Sequence, residues 1–346
     1  MDLWILSEDF NPLGIVDTAA STIWANRYRQ CGDFEIYVPA TIEILELLQE
    51  DRLVVRQDDD MVGVIERKKI VTDEENGDFL LVSGRCSRSI LDRRIVWEQT
   101  VINDTTENAM RQLVTEAFIS PTDPARKYSG LALAAVHGYA DSIRVQYTGT
   151  GILDAIESLC ATKNYGFKMP LEDEQLVLDF YKPADRSVNQ DENPRVVFSE
   201  KYDNLLTTTY TMDKTALKNV VVVAGEGEGT ARRRGVFTSE LSPAGLHRRE
   251  TYRDARDISS NEGEIPDDEY TQLLAERGQE TLSEATVIET MEGAVEPRQM
   301  YVYKQDYFLG DIVTVINKYG VQLDTQVLEV VEVWDENGYT CTPTFG

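Results

Sequence analysis

The stretch of this sequence whose residue types could do chemistry is 219–236, NVVVVAGEGEGTARRRGV: an apolar run, three alternating glycines and three arginines. A glycine-rich loop after a strand can cradle a phosphate, because backbone N–H groups and a helix N-terminus then face the anion. The spacing here does not serve that purpose. A dinucleotide loop needs G-x-G-x-x-G, and Thr230 stands where the third glycine belongs; a nucleoside-triphosphate loop needs Lys-Ser or Lys-Thr after its last glycine, and neither follows. Glu226 and Glu228 would also turn two carboxylates toward the anion. Downstream, the arginines lead through Gly235 into a β-like segment and not into a helix. The stretch therefore reads as a bend between strands. At least one of Gly225, Gly227 and Gly229 must take a positive φ or admit close backbone there, with Glu226 and Glu228 in reach of Arg232 or Arg233.

Other chemistries find equally little to work with. The two histidines, His137 and His247, lack the spacing of metal ligands and read as exposed or capping residues. Neither a G-x-S-x-G elbow nor a C-x-x-C pair occurs, so Ser or Cys hydrolysis, a zinc knuckle and a disulfide framework have no support. Cys31, Cys86, Cys160 and Cys341 read as buried thiols of a chain made in a reducing cytoplasm. With 61 acidic residues, any carboxylate pair is uninformative about glycoside cleavage. A calcium loop could start at Asp73, but its flanks are strand-like where helices are needed. The basic cluster Arg232 to Arg234 with Arg248 and Arg249 finds its natural partners in the protein's own surplus carboxylates. No catalytic residue, cofactor or metal is expected.

The 34 basic and 61 acidic residues give a formal net charge of −27, which opposes phosphate backbones and anionic lipid surfaces. Membrane association and DNA binding are not expected. The N-terminal MDLWILSEDFNPLG has no basic n-region, and its apolar run is too short for a signal peptide or a membrane span.

The elements that must position these residues follow from pattern. At 346 residues the chain is long enough for several cores. Residues 1–100 read as a first β module: LWIL, GDFEIYV, RLVVR, MVGVIERKKIV and FLLVSGR, the last three as one meander, with a short helix at TIEILELLQE and a hairpin turn at Asn76-Gly77. Residues 101–192 read as an α+β lobe. Its first helix starts with Asp104 and Glu107 at capping-box spacing and carries Met110, Leu113, Val114 and Ala117 on one face. A second buries Ile152, Ile156, Leu159 and Cys160 and ends at Asn164 to Gly166. A second β module is expected from 193–236 and 296–346, the latter with at least four strands and a hairpin turn at Asn337-Gly338. An inserted helical lobe at 237–295, with Tyr270, Leu273 and Leu274 on one side of its helix, interrupts it. The fold class is α+β, mostly β.

Several longer phrases are distinctive: SxxWxxRYxxCGDFEIYVP (21–39), GVIERKKI (63–70), SGRCSRSILDRRIV (83–96), NVVVVAGEGEGTARR (219–233), LHRRETYRDARDI (246–258), YFLGDIVTVIN (307–317) and the closing PTFG (343–346). In this order, and nearly end to end, the chain resembles the tail-hub, or baseplate-hub, proteins of long-tailed bacteriophages and related prophage or injection particles. The resemblance implies a homotrimeric ring with two tube-like β-barrel domains per subunit, six quasi-equivalent domains in all, and two peripheral α+β lobes. It implies no catalytic residues. From its phrases come the structural and interface candidates: the GEGEG loop with Arg232 and Arg233, then Arg249, Asp254, Arg256 and Asp257, then Gly310 and Asp311. The implied role is a virion tail-tip ring, made in the host bacterial cytoplasm. Its implied partners are a distal tail or tail-tube protein, a tape measure protein, and spike or receptor-binding fibre proteins, and DNA passes through without being bound. Because the chain ends at Gly346, just past its last strand, it reads as a hub without a C-terminal extension. The readings from other classes are a host-surface polysaccharide-binding or depolymerising protein, which would show an aromatic-lined carbohydrate cleft, and a monomeric cytosolic β-rich binding protein.

Overall fold

The computed structural model describes every residue except 1, 57, 58, 60, 73–76, 240–242 and 296–299. Period-two patterning in the first module produces β1 (Leu3–Leu6), β2 (Pro12–Val16), β3 (Ser21–Arg27), β4 (Asp33–Pro39), β5 (Leu53–Arg56), β6 (Val62–Val64), β7 (Arg67–Val71) and β8 (Phe79–Arg85), with helix α1 (Ile42–Leu47) capped by the Thr41 side chain. Strands β2-β1-β5-β6 form one sheet, and β3-β4-β8-β7 belong to another. The two face each other across Leu3, Ile5, Trp24, Phe34, Ile36, Val54, Leu80 and Val82, which makes the module a sandwich. The expected meander is broken, because MVGVIERKKIV divides at Ile65 and Glu66 into β6 of one sheet and β7 of the other. Gly84 permits the crossing: a Cβ there would lie 1.8 Å from the Val64 carbonyl oxygen. Asn76 of the expected hairpin turn and Asp73 of the calcium reading lie outside the described residues, while β7 and β8 pair antiparallel with Val71 opposite Phe79.

The α+β segment contains β9 (Thr100–Thr105), α2 (Thr106–Val114), β10 (Leu131–Leu133), β11 (Ser142–Tyr147), α3 (Ile152–Lys163), β12 (Gly166–Lys168), β13 (Leu171–Glu172) and β14 (Gln175–Tyr181). The two helices bury the apolar faces read from their spacing. Their caps differ from expectation. Thr105 is the N-cap of α2, accepting from Asn108 N, while Glu107 turns inward and accepts from the N–H groups of His137 (2.7 Å) and Gly138 (2.9 Å). A long-range loop thus outcompetes the local capping box. Asn164 ends α3 in the left-handed region at φ 56°. This core also takes in Leu6, Leu53, Val62, Val64, Ile90 and Leu91, so the segment packs onto the first module and is not a detached lobe.

The rest of the chain gives β15 (Val197–Ser199), β16 (Leu205–Asp213), β17 (Val220–Ala224), β18 (Arg234–Thr238), β19 (Glu250–Asp254), α4 (Asp267–Ser283), β20 (Ile288–Val295), β21 (Ile312–Ile316), β22 (Gln322–Asp335) and β23 (Gly338–Phe345). Three strands and an isolated Tyr303–Tyr307 bridge stand where at least four strands are expected after residue 299. Strand β17, assigned from sequence to the second β module, instead centres a separate sheet ordered β18-β17-β19, with α4 packed on it. Strand β20, assigned to the insertion, belongs to the main sheet.

That main sheet corrects the expectation of two barrels. Among the described residues neither β module closes on itself, and one open path runs β16-β20-β23-β22-β3-β4-β8-β7, with β21 and β15 branching from β22. The physical reason is the length of β22. Its fourteen residues pair first with β21 and then, from Glu329 opposite Arg27 to Trp334 opposite Thr22, with β3 of the first module. Backbone hydrogen bonds that could have closed each module join the two modules instead.

Candidate functional site

The two most distinctive phrases lie side by side. Strand β17, from NVVVVA, is buried except for half-buried Val222, and β19, from RRETYRD, runs parallel to it with Val220 opposite Glu250 and Ala224 opposite Asp254. The GEGEG bend that follows β17 is closed by paired hydrogen bonds, Gly225 N to Arg233 O and Arg233 N to Glu226 O, both 2.9 Å. Gly227 and Gly229 have φ of 92° and 53°, and a Cβ on Gly225 would lie 2.0 Å from the Tyr270 hydroxyl.

The charges of the bend are used internally. Arg232, whose side chain is 7% exposed, caps the end of β17: it donates to the carbonyls of Ala224 (2.7 Å) and Gly225 (2.9 Å), to the Tyr252 hydroxyl, and to Asp254. Arg233 lies 3.8 Å over the Tyr270 ring and pairs with Glu226 (3.3 Å) and Asp267 (2.9 Å). Glu226 also accepts from Ser260 N at 2.8 Å. Partial burial pushes the Glu226 carboxyl up, but the Ser260 N–H and Arg233 outweigh it and hold the group below the ordinary carboxylate range. The Tyr270 hydroxyl accepts from Glu226 N (2.8 Å) and donates to Ile258 O (3.2 Å). The Arg233 guanidinium and the Ser260 N–H thus face the loop's own Glu226.

The remaining candidates fall in two places. Arg249 donates its N–H to Asn219 and its guanidinium to Lys214 O; exposed Arg256 sits 3.6 Å from Asp254; Asp257 accepts from Arg277 of α4 at 2.9 and 3.1 Å. Glu228 is exposed before the short turn Gly229–Ala231. Gly310 and Asp311 are elsewhere. Gly310, at φ 87°, lies against the Tyr28 ring, and buried Asp311 accepts from Ala184 N, Phe308 N and Arg186 (2.7 Å).

Asp311 borders a cleft of about 550 Å³ between the first module, the α+β segment and the 303–311 loop. Four of its cations pair with carboxylates: Arg27 with Asp33 and Glu329, Lys182 with Asp141, Arg186 with Asp311, and Lys304 with Asp59 and Glu332, whereas Arg88 donates to the carbonyls of Phe167 and Arg27 and to Cys86. Behind it Arg56, buried over the Trp334 ring at 4.4 Å, pairs with Asp59 (2.6 Å) and Glu332 (3.1 Å). Sequence reading misses this cluster because its members are separated by up to 276 positions and no local pattern links them. It also misses Tyr270 and Ser260 as partners of the bend, and the approach of Cys31 to Cys86. Among the described residues no group of three or more His, Cys, Asp or Glu is placed to hold a metal ion, and no helix is long and apolar enough to cross a membrane.

Over residues 2–346 the sequence matches the family described as siphovirus ReqiPepy6 Gp37-like protein. The chain belongs to that family. The family likeness extends through nearly the whole chain, as the ordered sequence phrases do. Its fold is similar to the 43 kDa tail protein of prophage MuSo2 from Shewanella oneidensis, with 12% identity, TM-score 0.61, and 100% of this chain and 98% of that one covered. It is also similar to a tail protein from Neisseria meningitidis MC58 (13% identity, TM-score 0.58, 99% and 95% covered). A third is the prophage tail protein gp18 from Listeria monocytogenes EGD-e (13% identity, TM-score 0.55, 99% and 94% covered). No curated protein sequence matches the chain.

Proposed function

We propose that this protein is a phage tail protein, the hub ring of the tail tip, joining the tail tube to the spike or fibres and lining the channel through which DNA passes. The observation that carries the proposal is the open sheet whose main path ends, among the described residues, on β7 at one end and β16 at the other. An unpaired strand is a template for another chain, so a stable protein either blunts it or covers it. Strand β16 is poorly blunted: Leu206 and Met212 are 57% and 53% exposed, and Ile288 beside them is exposed as well. The edges also differ in charge, with Arg67, Lys68 and Lys69 on β7 against Asp213, Glu289 and Glu292 on the β16–β20 ribbon. Pairing of β7 with β16 of the next copy is a head-to-tail contact, which closes into a ring when the rotation allows. Barrel closure in this proposal occurs between subunits and not within one.

Register defines the face such a ring turns to its channel. Directly opposed residues share a face, so Thr209, Glu292, Thr344, Glu329 and Arg27 line one row, and Arg67, Ser83, Glu35, Ile23, Val333 and Thr340 another. Thr207, Thr211, Thr290 and Thr342 lie on the same face. Hydroxyls and carboxylates with few unpaired cations do not hold a polymer carrying one charge per about 1.7 Å. In the homotrimer the two β modules of each chain, 1–100 and 193–213 with 288–346, supply six ring units. The 101–192 segment and the β17–α4 unit sit outside, towards a distal tail or tail-tube protein, a tape measure protein, and spike or fibre proteins. Two measurements test this. Imaging of assembled tail tips should count three copies, and one or six would end the proposal. Leu206→Glu with Met212→Glu should leave the isolated chain's stability within about 0.5 kcal/mol, since both sites are exposed, and abolish tail assembly.

A further inference from the structure

We propose that Cys31 and Cys86 form a peroxide-reactive site that closes a reversible disulfide within the folded chain. The two thiols lie 55 positions apart, yet their sulfurs are 3.1 Å from each other. Cys31 is half-buried in the turn between β3 and β4, and Cys86 is buried at the end of β8. A disulfide needs the sulfurs at about 2.05 Å, so closing the bond asks for a movement of about 1 Å and no refolding of either strand.

The surroundings of Cys86 are built for a thiolate. Its sulfur accepts from Gly32 N and from Arg88 Nε, each at 3.2 Å. Arg88 is buried, with its other nitrogens held by Phe167 O (2.8 Å) and Arg27 O (3.0 Å), so its charge stays directed at the sulfur. Burial pushes the Cys86 thiol up, but the Cys31 S–H and Arg88 outweigh that and pull it below the ordinary thiol range. Cys31 moves the opposite way: its hydrogen bond to Cys86 and its burial keep it protonated. The other charged groups facing the pair are Arg85 at the end of β8 and Glu157 of α3, which accepts from Cys31 N at 2.9 Å. Cys86 and Arg88 both line the 550 Å³ cleft, the side from which a small oxidant would reach the pair in this proposal.

The chemistry balances with a peroxide as oxidant. The Cys86 thiolate attacks one oxygen of hydrogen peroxide, the O–O bond breaks, hydroxide leaves, and Cys86 becomes a sulfenic acid. The Cys31 sulfur then attacks the sulfenic sulfur as its proton is lost, the S–O bond breaks, and water leaves with the disulfide formed. Two thiols are oxidised by two electrons and one peroxide is reduced to two waters. The bond ties the β3–β4 turn to the end of β8, at the corner where the first module meets the α+β segment.

The test uses the full chain treated with hydrogen peroxide at pH 7, alkylated, and mapped by mass spectrometry without reductant. The expected product is a Cys31–Cys86 cross-linked peptide two hydrogens lighter than the dithiol, reversed by dithiothreitol, with Cys160 and Cys341 still alkylated. Cys86 should react at least ~10-fold faster than Cys160, which burial holds protonated. In Cys31→Ser the sulfenic acid should persist on Cys86 and be trapped by dimedone. Full alkylation of both Cys31 and Cys86 after peroxide, or a cross-link that forms only in denaturant, overturns the proposal.

Discussion

Replacing Gly225 by alanine tests the reading of the GEGEG bend most sharply, because the structure states what the added methyl meets. A Cβ at Gly225 lies 2.0 Å from the Tyr270 hydroxyl oxygen and 3.1 Å from Leu274 Cδ2, so the phenol must move. Moving it breaks the hydrogen bonds with Glu226 N and Ile258 O, about 1 kcal/mol each, and adds an overpacking cost of about 1–3 kcal/mol. The expected total for Gly225→Ala is about 3–5 kcal/mol. Gly229→Ala is the internal control. Nothing lies within 4 Å of its Cβ, so only the φ of 53° counts, at about 1 kcal/mol. Tyr270→Phe removes the oxygen that clashes, so the double variant Gly225→Ala with Tyr270→Phe should be milder than the sum of the singles by about 1.5 kcal/mol or more. Urea unfolding supplies the free energies, and hydrogen exchange of β17, β18 and β19 locates the loss in the unit that shares the Tyr270 core. Equal costs for Gly225→Ala and Gly229→Ala, or additivity in the cycle, would refute the close-approach account.

Three further outcomes are expected. Arg56→Met leaves Asp59 and Glu332 buried with Lys304 as the cation that faces both, and thermal unfolding should report a loss of about 3–5 kcal/mol. The folded state holds the Glu226 carboxyl below its unfolded value, so the unfolded chain binds more protons. The stability it contributes is complete above the ordinary value of 4.5 and is lost as pH falls through the depressed one; Glu226→Gln should flatten the acid limb of a stability-versus-pH curve in that window. Duplex DNA should show no micromolar binding near physiological salt, because the chain carries −27 and Arg27, Lys182 and Arg186 of its cleft pair with carboxylates; binding with a steep salt dependence in a filter or fluorescence assay would contradict this.

The local elements were legible because short-range periodicity and caps determine them. The apolar faces of α2 and α3, the end of α3 at Asn164, and the closing hairpin are examples, although the hairpin pairs Asp335 with Gly338 around Glu336-Asn337 and places Gly338 at φ 109° just after the turn. The GEGEG bend was equally readable, since positive φ at Gly227 and Gly229 follows from the glycine spacing. The assignment of β17 to the wrong sheet has a plain cause: a run of four valines fits the middle of any sheet, and nothing in it names its neighbours.

By itself, the sequence determined that the chain is acidic, mostly β and built of several cores, that its glycine bend brings an arginine within reach of a glutamate, and that its ordered phrases resemble those of tail-hub proteins. Each of these rests on composition, on spacing within a few residues, or on the order of phrases. Tertiary structure alone decided that β22 bridges both β modules into one open sheet, that β17 and β19 bring the two phrases together over Tyr270, that Arg56 meets Glu332, and that Cys31 meets Cys86. Those contacts join residues tens to hundreds of positions apart. Such pairings are selected by which surfaces bury together and which backbone edges remain free, and that competition is settled only when the whole chain has folded.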